Sequence, residues 1–439
     1  MSWLNFAPFC RLRVLIGYCL CASLVGCTGE DPRITRIESY AKLPTAIASE
    51  SPELRDAITR LKLAGNLPSQ LARSEQSATA GTTAKLPAAD NAAAAAAAVL
   101  NPPLRTALNK PLERWLDRGW FRFETQEVVQ ITQLLNRHER RIEQLRTAGE
   151  SPDASFPLGL ELGFFASTSY LDDAAIACRF DLVSAGLRLE AGQISDAVEQ
   201  LERAAKWITW LVREPRLEPR LLGAQLREEW LLAVAAIAEH PSTLLVDYAQ
   251  LREVIVGWLN NWPADSASIN GDRAATLHSY EAIRGGLLDQ LATEDELRRL
   301  SERGITPQNL PPPTQIDRDQ VAYLNSLQRL ISSLRRPYPE RVKKHTTVAA
   351  LLEDAGDAPF ASEMFLPGLP SALEALAIDR AATELWGLTL SAAGGFRLTE
   401  YRTNPHSGAA YEIQRIARSL IVKPGDPAIR DAFALIRAE

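Results

Sequence analysis

The sequence predicts an all-α protein made of antiparallel helical hairpins, arranged as a closed bundle or a short solenoid, with a small β-hairpin near the C-terminus. Three observations predict it. Between Leu171 and Val212 two long apolar stripes recur at helical spacing on either side of a tight turn. Similar stripes, punctuated by glycine and proline, continue to Ala392. Short runs with turn signals between them occur only after Gly394.

Residues 1–26 read as an export signal. Arg11 and Arg13 form a basic start, no acidic residue precedes Cys27, and Val14 to Val25 is apolar. That run is shorter than the roughly 20 residues a spanning helix needs. Its end, Leu24-Val25-Gly26-Cys27, resembles the bacterial lipobox, in which the cysteine is acylated and becomes the first residue of the mature chain. Small Gly26 admits the signal peptidase, and each buried acyl methylene contributes roughly 0.8 kcal/mol to membrane attachment. Lipidation is therefore expected at Cys27, with membrane lipid as the first partner. A retained signal anchor is the competing reading. Thr28 stands where enterobacterial lipoproteins retained at the inner membrane carry aspartate, so the expected location is the cell envelope, facing the periplasm from the outer membrane.

The formal net charge is −6, and removal of Arg11 and Arg13 with the signal makes it −8. An acidic chain without a basic run argues against nucleic acid as a partner. Cleavage also removes Cys10, Cys19 and Cys21. Cys178 then has no disulfide partner if Cys27 is acylated, and its apolar stripe predicts a buried, inert thiol.

Residues 27–72 read as a tether with short helices interrupted by Pro44, Pro52 and Pro68. Residues 73–103 form a linker rich in Ala, Ser, Thr and Pro, with an end-to-end distance of roughly 30 Å if flexible. Disorder is expected to about Ala89, and a helix over the alanines from Ala92, because alanine has the highest helix propensity. Residues 104–310 form the expected helical domain. Val128, Ile131, Leu134 and Leu135, then Ile142 and Leu145, fit a helix ending at Gly149, with Trp115 and Trp120 anchoring its packing. In the central pair, Ile176, Phe180, Val183 and Leu187 share one stripe with a parallel stripe from Cys178 to Leu189. Ile194, Val198, Leu201, Ala205, Ile208 and Val212 face them from the second helix. Gly192 supplies the left-handed turn, and Asp196 with Glu199 is read as the cap.

A helix over Leu221 to Glu239 ends at His240-Pro241, because the residue before proline disfavours helix. Leu244 to Leu259 follows, then a loop from Asn260 to Asn270 and a helix from Arg273 to Leu291. Thr293 and Glu296 form a capping box for a short charged helix that stops near Gly304. In the C-terminal region, residues 311–439, Pro311 to Pro313 is a stiff spacer. Helices are expected over Asp317 to Arg335, Glu340 to Asp354, and Ser371 to Ala392, the last capped by Ser371 and Glu374. Short strands are expected at Gly394 to Leu398 and Ala410 to Ile413, around the turn from Asn404 to Gly408, and a terminal helix after Pro427.

Leu187 to Gly192 with Ala197, Leu201 and Ala204 resembles the turn region of one tetratricopeptide-like unit, which implies a polypeptide-binding groove. Asp90-Asn91-Ala92-Ala93, Arg188-Leu189-Glu190-Ala191-Gly192, and Asn404-Pro405-His406-Ser407-Gly408 with Tyr411 together resemble an uncharacterised planctomycete-type group of helical envelope lipoproteins. In that group the last motif reads Asp-Pro-Phe-Ser/Thr-Gly and is similar to the tail of type II secretion pseudopilins. Here Asn404 replaces the acid and His406 the aromatic residue, so the resemblance implies no metal site.

No nucleophile elbow, phosphate loop, dinucleotide fingerprint or His-Glu-x-x-His is present. The histidines at 138, 240, 278, 345 and 406 share no ligand spacing. No catalytic residue, metal or cofactor is assigned. The candidate partner-binding residues are Trp207 and Trp210 beside the main stripe, and Arg213, Arg216 and Arg220 at the end of the hairpin. Packing within the core is the competing reading for the tryptophans, and solvation for the arginines. The function expected is a non-catalytic, lipid-anchored scaffold that binds other envelope proteins. The alternative is an envelope hydrolase assembled from sequence-distant carboxylates or histidines.

Overall fold

The computed structural model describes residues 91–116, 122–151, 154, 156, 164, 167–343, 348–397 and 403–436. The export signal, Cys27, the expected disorder to Ala89 and Trp120 lie outside these residues. The architecture is all-α, with fifteen α-helices among the described residues and a three-stranded antiparallel sheet close to the C-terminus. No helix among them is long and apolar enough to cross a membrane.

The alanine run is helical: α1 (Ala92–Val99) is capped by the Asn91 side chain, which accepts the Ala93 N–H at 3.1 Å. Ala92, Ala96 and Leu100 are fully buried, so these small residues belong to the packed core and let α1 approach its neighbours closely. α2 (Pro102–Leu116), α3 (Thr125–Arg137) and α4 (Glu139–Gly149) complete the first layer.

The central pair is α5 (Ser169–Glu190) and α6 (Ile194–Arg213). Gly192 takes φ +73° in the turn between them, as its position requires. Gln193, with no side-chain capping bond, precedes α6; Asp196 lies inside the first turn beside Arg188 and does not cap it. α7 (Leu217–Glu239) starts four residues before the expected helix, because Pro219 sits in its first turn, where no N–H is needed. It contacts α5, α6, α9 (Asp265–Arg284), α15 (Leu369–Ala393) and the sheet, and is the element the others surround.

α8 (Leu245–Asn260) packs on α6 and α15. The loop expected to Asn270 is shorter, since α9 already begins at Asp265 and ends at Gly285-Gly286, with Gly286 at φ +81°. α10 (Leu288–Leu291) and α11 (Glu294–Glu302) follow, the latter with the expected Thr293–Glu296 box. Pro313 opens α12 (Pro313–Ser333). The helix expected over Glu340 to Asp354 is instead α13 (Tyr338–Val342) and α14 (Val348–Ala355). A π-helical turn, Ala361–Phe365, precedes α15, and its first N–H groups are held by Asp319, which accepts from Phe360 at 2.8 Å and Ala361 at 3.0 Å. Gly368, and not Ser371, is the N-cap of α15.

Gly394 ends α15 and Gly395 takes φ +69°, so the glycines terminate a helix and start no strand. The strands are β1 (Glu412–Ile416), β2 (Ser419–Lys423) and β3 (Ala432–Leu435), in that order. The expected terminal helix is replaced by β3, whose buried Ala432 and Ala434 lie against α7 and α15. Two apolar cores result. The larger joins α1 to α8, the later half of α15 and the sheet; the smaller joins the start of α7, α9 to α14 and the first turns of α15.

Candidate functional site

Of the two readings of the tryptophans, core packing is the one the structure takes, and they form no surface ridge for a partner. Trp207 is 1% and Trp210 5% exposed, and their rings meet edge to face with centroids 5.1 Å apart. The physical reason is that α6 is packed against α4, α5, α7 and α8, which leaves only a thin polar stripe through Glu199, Lys206 and Arg213 in water. Gly149, at the end of α4, lies against the Trp207 indole, where a side chain would crowd it.

The three arginines are not a shared groove either. Arg213 is exposed, whereas Arg216 and Arg220 point into the protein. Arg216 pairs with Asp272 at 3.4 Å, and Asp272 also accepts the Leu217 N–H. Arg220 donates to the carbonyls of Pro263 and Ala264 and pairs with Asp265 at 2.8 Å, a carboxylate it shares with Arg341. Further along α7, Arg227 pairs with Asp379 at 2.5 Å and lies over the rings of Trp258 and Trp262, and Glu229 receives Arg179 at 2.7 Å. These pairs form a buried ionic layer along α7, in which Arg216 and Arg220 reach α9 of the smaller core and Arg227 reaches Asp379 on α15 against Trp258 and Trp262 of the larger one. Burial raises the carboxyls of Asp272 and Asp379, and the neighbouring arginines oppose that rise. Each arginine of the layer meets a carboxylate on another element, so the layer joins those elements.

Cys178 is fully buried beside the Ala204 carbonyl, and burial pushes its thiol well up, away from the reactive thiolate. Among the described residues no group of three His, Cys, Asp or Glu is placed to hold a metal ion.

Two other places combine polar chemistry with access to solvent. The first is the turn from Asn404 to Gly408. The Asn404 side chain accepts the N–H groups of His406 at 2.8 Å and Ser407 at 3.2 Å, so asparagine serves the turn as an acid would. His406 is thereby placed with Nδ1 2.7 Å from Asp426 and Nε2 3.8 Å from Glu374 on α15, its ring stacked on Tyr338. An imidazole oriented by a buried carboxylate has the geometry for proton transfer at its other nitrogen. Tyr411 donates to the Ala381 carbonyl at 3.2 Å and ties this unit to α15.

The second is a groove of about 390 Å³ between α2 and α3. Lys110 and Arg114 line it from α2 and Arg137 from α3, with Gln130 and Gln133 beside them and Trp115 and Leu134 as its apolar floor. Pro111 also lines it; having no N–H, it leaves the Ala107 carbonyl without its usual helical donor. No acidic side chain lines this groove, in contrast to the acidic chain as a whole. Its sequence signal was the spacing of Lys110 and Arg114, and of Gln130, Gln133 and Arg137, on two helix faces without an acid. The His406 cluster had no such signal, because its members are far apart in the chain.

No protein-family model, curated protein or solved structure matches this chain.

Proposed function

We propose that the chain is a lipid-anchored helical scaffold of the cell envelope, facing the periplasm, which binds other envelope proteins without catalysis. The observation that carries this reading is Leu24-Val25-Gly26-Cys27 at the end of an export signal, followed by a long Pro/Ala/Ser-rich spacer before the packed helices. Thr28 after the cysteine favours the outer membrane. The buried tryptophans offer no docking surface, and the cationic groove between α2 and α3 takes that place. A groove of that charge suits a partner that presents carboxylates.

Two experiments test this. Cys27→Ser abolishes metabolic labelling with palmitate; unchanged labelling overturns the anchor. Crosslinked purification of the tagged chain from detergent-solubilised envelopes yields a stoichiometric partner, which Lys110→Glu with Arg137→Glu loses. A solitary protein overturns the scaffold. A hydrolase reading is favoured by one observation, the Asp426-oriented His406. Hydrolysis of ester or amide substrates by the wild-type chain, lost in His406→Gln, would replace the scaffold by that reading.

A further inference from the structure

Three consecutive aliphatic residues stand in solvent where α7 turns into α8. Leu244 is 58%, Leu245 38% and Val246 54% exposed. Their backbone is nonetheless firmly held. Asp247 accepts the Leu244 N–H at 2.7 Å and the Ser195 hydroxyl at 3.1 Å, and the Thr243 hydroxyl donates to the Ile237 carbonyl. The fold therefore presents these side chains to solvent on a fixed support.

The strand register places a second apolar residue group at the same end. The Tyr248 hydroxyl, one turn into α8, lies 3.1 Å from the Leu435 carbonyl at the end of β3. Leu435 pairs with Ser419, and Ser419 with Ile416. The Ile436 N–H donates to the Arg418 carbonyl at 2.8 Å, which fixes the β1–β2 turn beside the same end of β3. Ile416 is 58% exposed, and Arg415 and Arg418 on either side of it are exposed as well. Two separate elements, a helix start and a hairpin tip, thus bring four exposed aliphatic side chains and two arginines to one end of the molecule.

We propose that this end rests on the phospholipid bilayer, with Leu244, Leu245, Val246 and Ile416 in the headgroup–acyl boundary and Arg415 and Arg418 on anionic headgroups. Exposed aliphatic side chains with Arg415 and Arg418 beside Ile416 match that boundary, the arginines meeting anionic headgroups while the exposed carboxylates of Glu239 and Asp196 on the helix side stay in water. A protein partner needs only the apolar part. The inference rests on the lipid-anchor reading, since an acyl chain at Cys27 keeps the domain at a membrane. The sequence between Cys27 and Asn91 is long enough for this end to reach the membrane. The four side chains then fix which way the anchored domain faces, and the α2–α3 groove is presented in a set orientation.

The test uses the acylated full chain in proteoliposomes of phosphatidylethanolamine and phosphatidylglycerol. A nitroxide is attached at Val246→Cys, and in a second preparation at Ser301→Cys on the exposed face of α11. The label at 246 is expected to show at least tenfold lower collision with an aqueous nickel reagent than the label at 301, together with raised collision with oxygen. Arg415→Glu with Arg418→Glu is expected to return the label at 246 to aqueous values. Equal aqueous access at the two positions overturns the proposal, as does protection at 246 that persists in detergent without lipid, which would point to a second protein surface. Palmitate content of the same preparation separates the two readings. A labelled chain with an aqueous position 246 overturns the bilayer contact alone, whereas an unlabelled chain overturns the anchor.

Discussion

Replacing Arg227 by methionine removes the cation of the most enclosed pair on α7. Arg227 is 1% exposed, its guanidinium lies 2.5 Å from Asp379, and Trp258 and Trp262 flank it at 4.8 and 4.6 Å. Methionine keeps most of the volume, so the main effect is an unpaired carboxylate in the interior, which costs about 3–5 kcal/mol. With an unfolding entropy of roughly 0.7 kcal/mol/K for a domain of this size, the melting temperature falls by about 4–7 °C. Burial already raises the Asp379 carboxyl and Arg227 opposes the rise, so the variant raises it further. A carboxyl raised above its unfolded value of about 3.9 favours the fold in its protonated form. Its stabilising effect is complete below that value and is lost as pH rises through the folded value. The penalty of Arg227→Met is therefore smallest near pH 4 and largest above neutrality. Thermal unfolding followed by circular dichroism across that range measures it. The companion Arg227→Met with Asp379→Leu recovers most of the loss, because neither charge is left alone. A penalty below about 1 kcal/mol, or one independent of pH, refutes the assignment of Asp379 as the group left stranded.

Three further outcomes are expected. Glu281 is buried and raised to about 7, chiefly by desolvation, against an unfolded value of about 4.3; its ionisation weakens the fold as pH rises through 7. Glu281→Gln accordingly gains up to about 3 kcal/mol at pH 8 and nothing near pH 4, as measured by urea unfolding at the two pH values. Arg284 keeps Asp317 at 2.6 Å in that variant. Gly271→Ala puts a methyl group onto the Pro215 carbonyl oxygen, forcing α9 away from the α6–α7 turn at a cost of about 3 kcal/mol or more, read from the urea midpoint; an unchanged midpoint would rule out the close approach. Ala417 takes φ 52° in the β1–β2 turn, so Ala417→Gly gains roughly 0.5–1 kcal/mol, and a loss in the same assay would mean the turn is not strained.

Helix existence was legible in the sequence wherever an apolar stripe was long, as in α5, α6, α8 and α12, because the core needs one face of each helix. The alanine helix was legible from propensity alone. Helix starts were legible only in part: Thr293 and Glu296 cap α11 as read, whereas Asp196 and Ser371 have capping side chains, yet the chain enters those helices through Gln193 and Gly368. The C-terminal strand was misread because Ala432-Phe433-Ala434-Leu435 favours a helix locally, whereas β2 and the surfaces of α7 and α15 require an extended segment with small inward residues. Trp207 and Trp210 could not be placed from α6 alone, since their burial depends on helices from other parts of the chain. The same holds for His406, whose partners Asp426, Glu374 and Tyr338 come from three separate segments.

Arg216, the N-cap of α7, and Arg220 and Arg227 within it show why such information is tertiary. At 216, 220 and 227 they recur at helical spacing, which on an isolated helix describes a solvated face. In the fold that face meets α9 and α15, and each arginine finds a carboxylate on one of those elements or at its start, while Glu229 meets Arg179 on α5. Neighbouring residues on a helix point about 100° apart, so turning α7 by one residue would break all four pairs together. Apolar contacts tolerate such a shift more readily, because any aliphatic side chain can replace another of similar size. The net energy of each pair is small once desolvation is counted, but the cost of mismatching them is large. Pairs of this kind specify the register of the central helix more than they add stability.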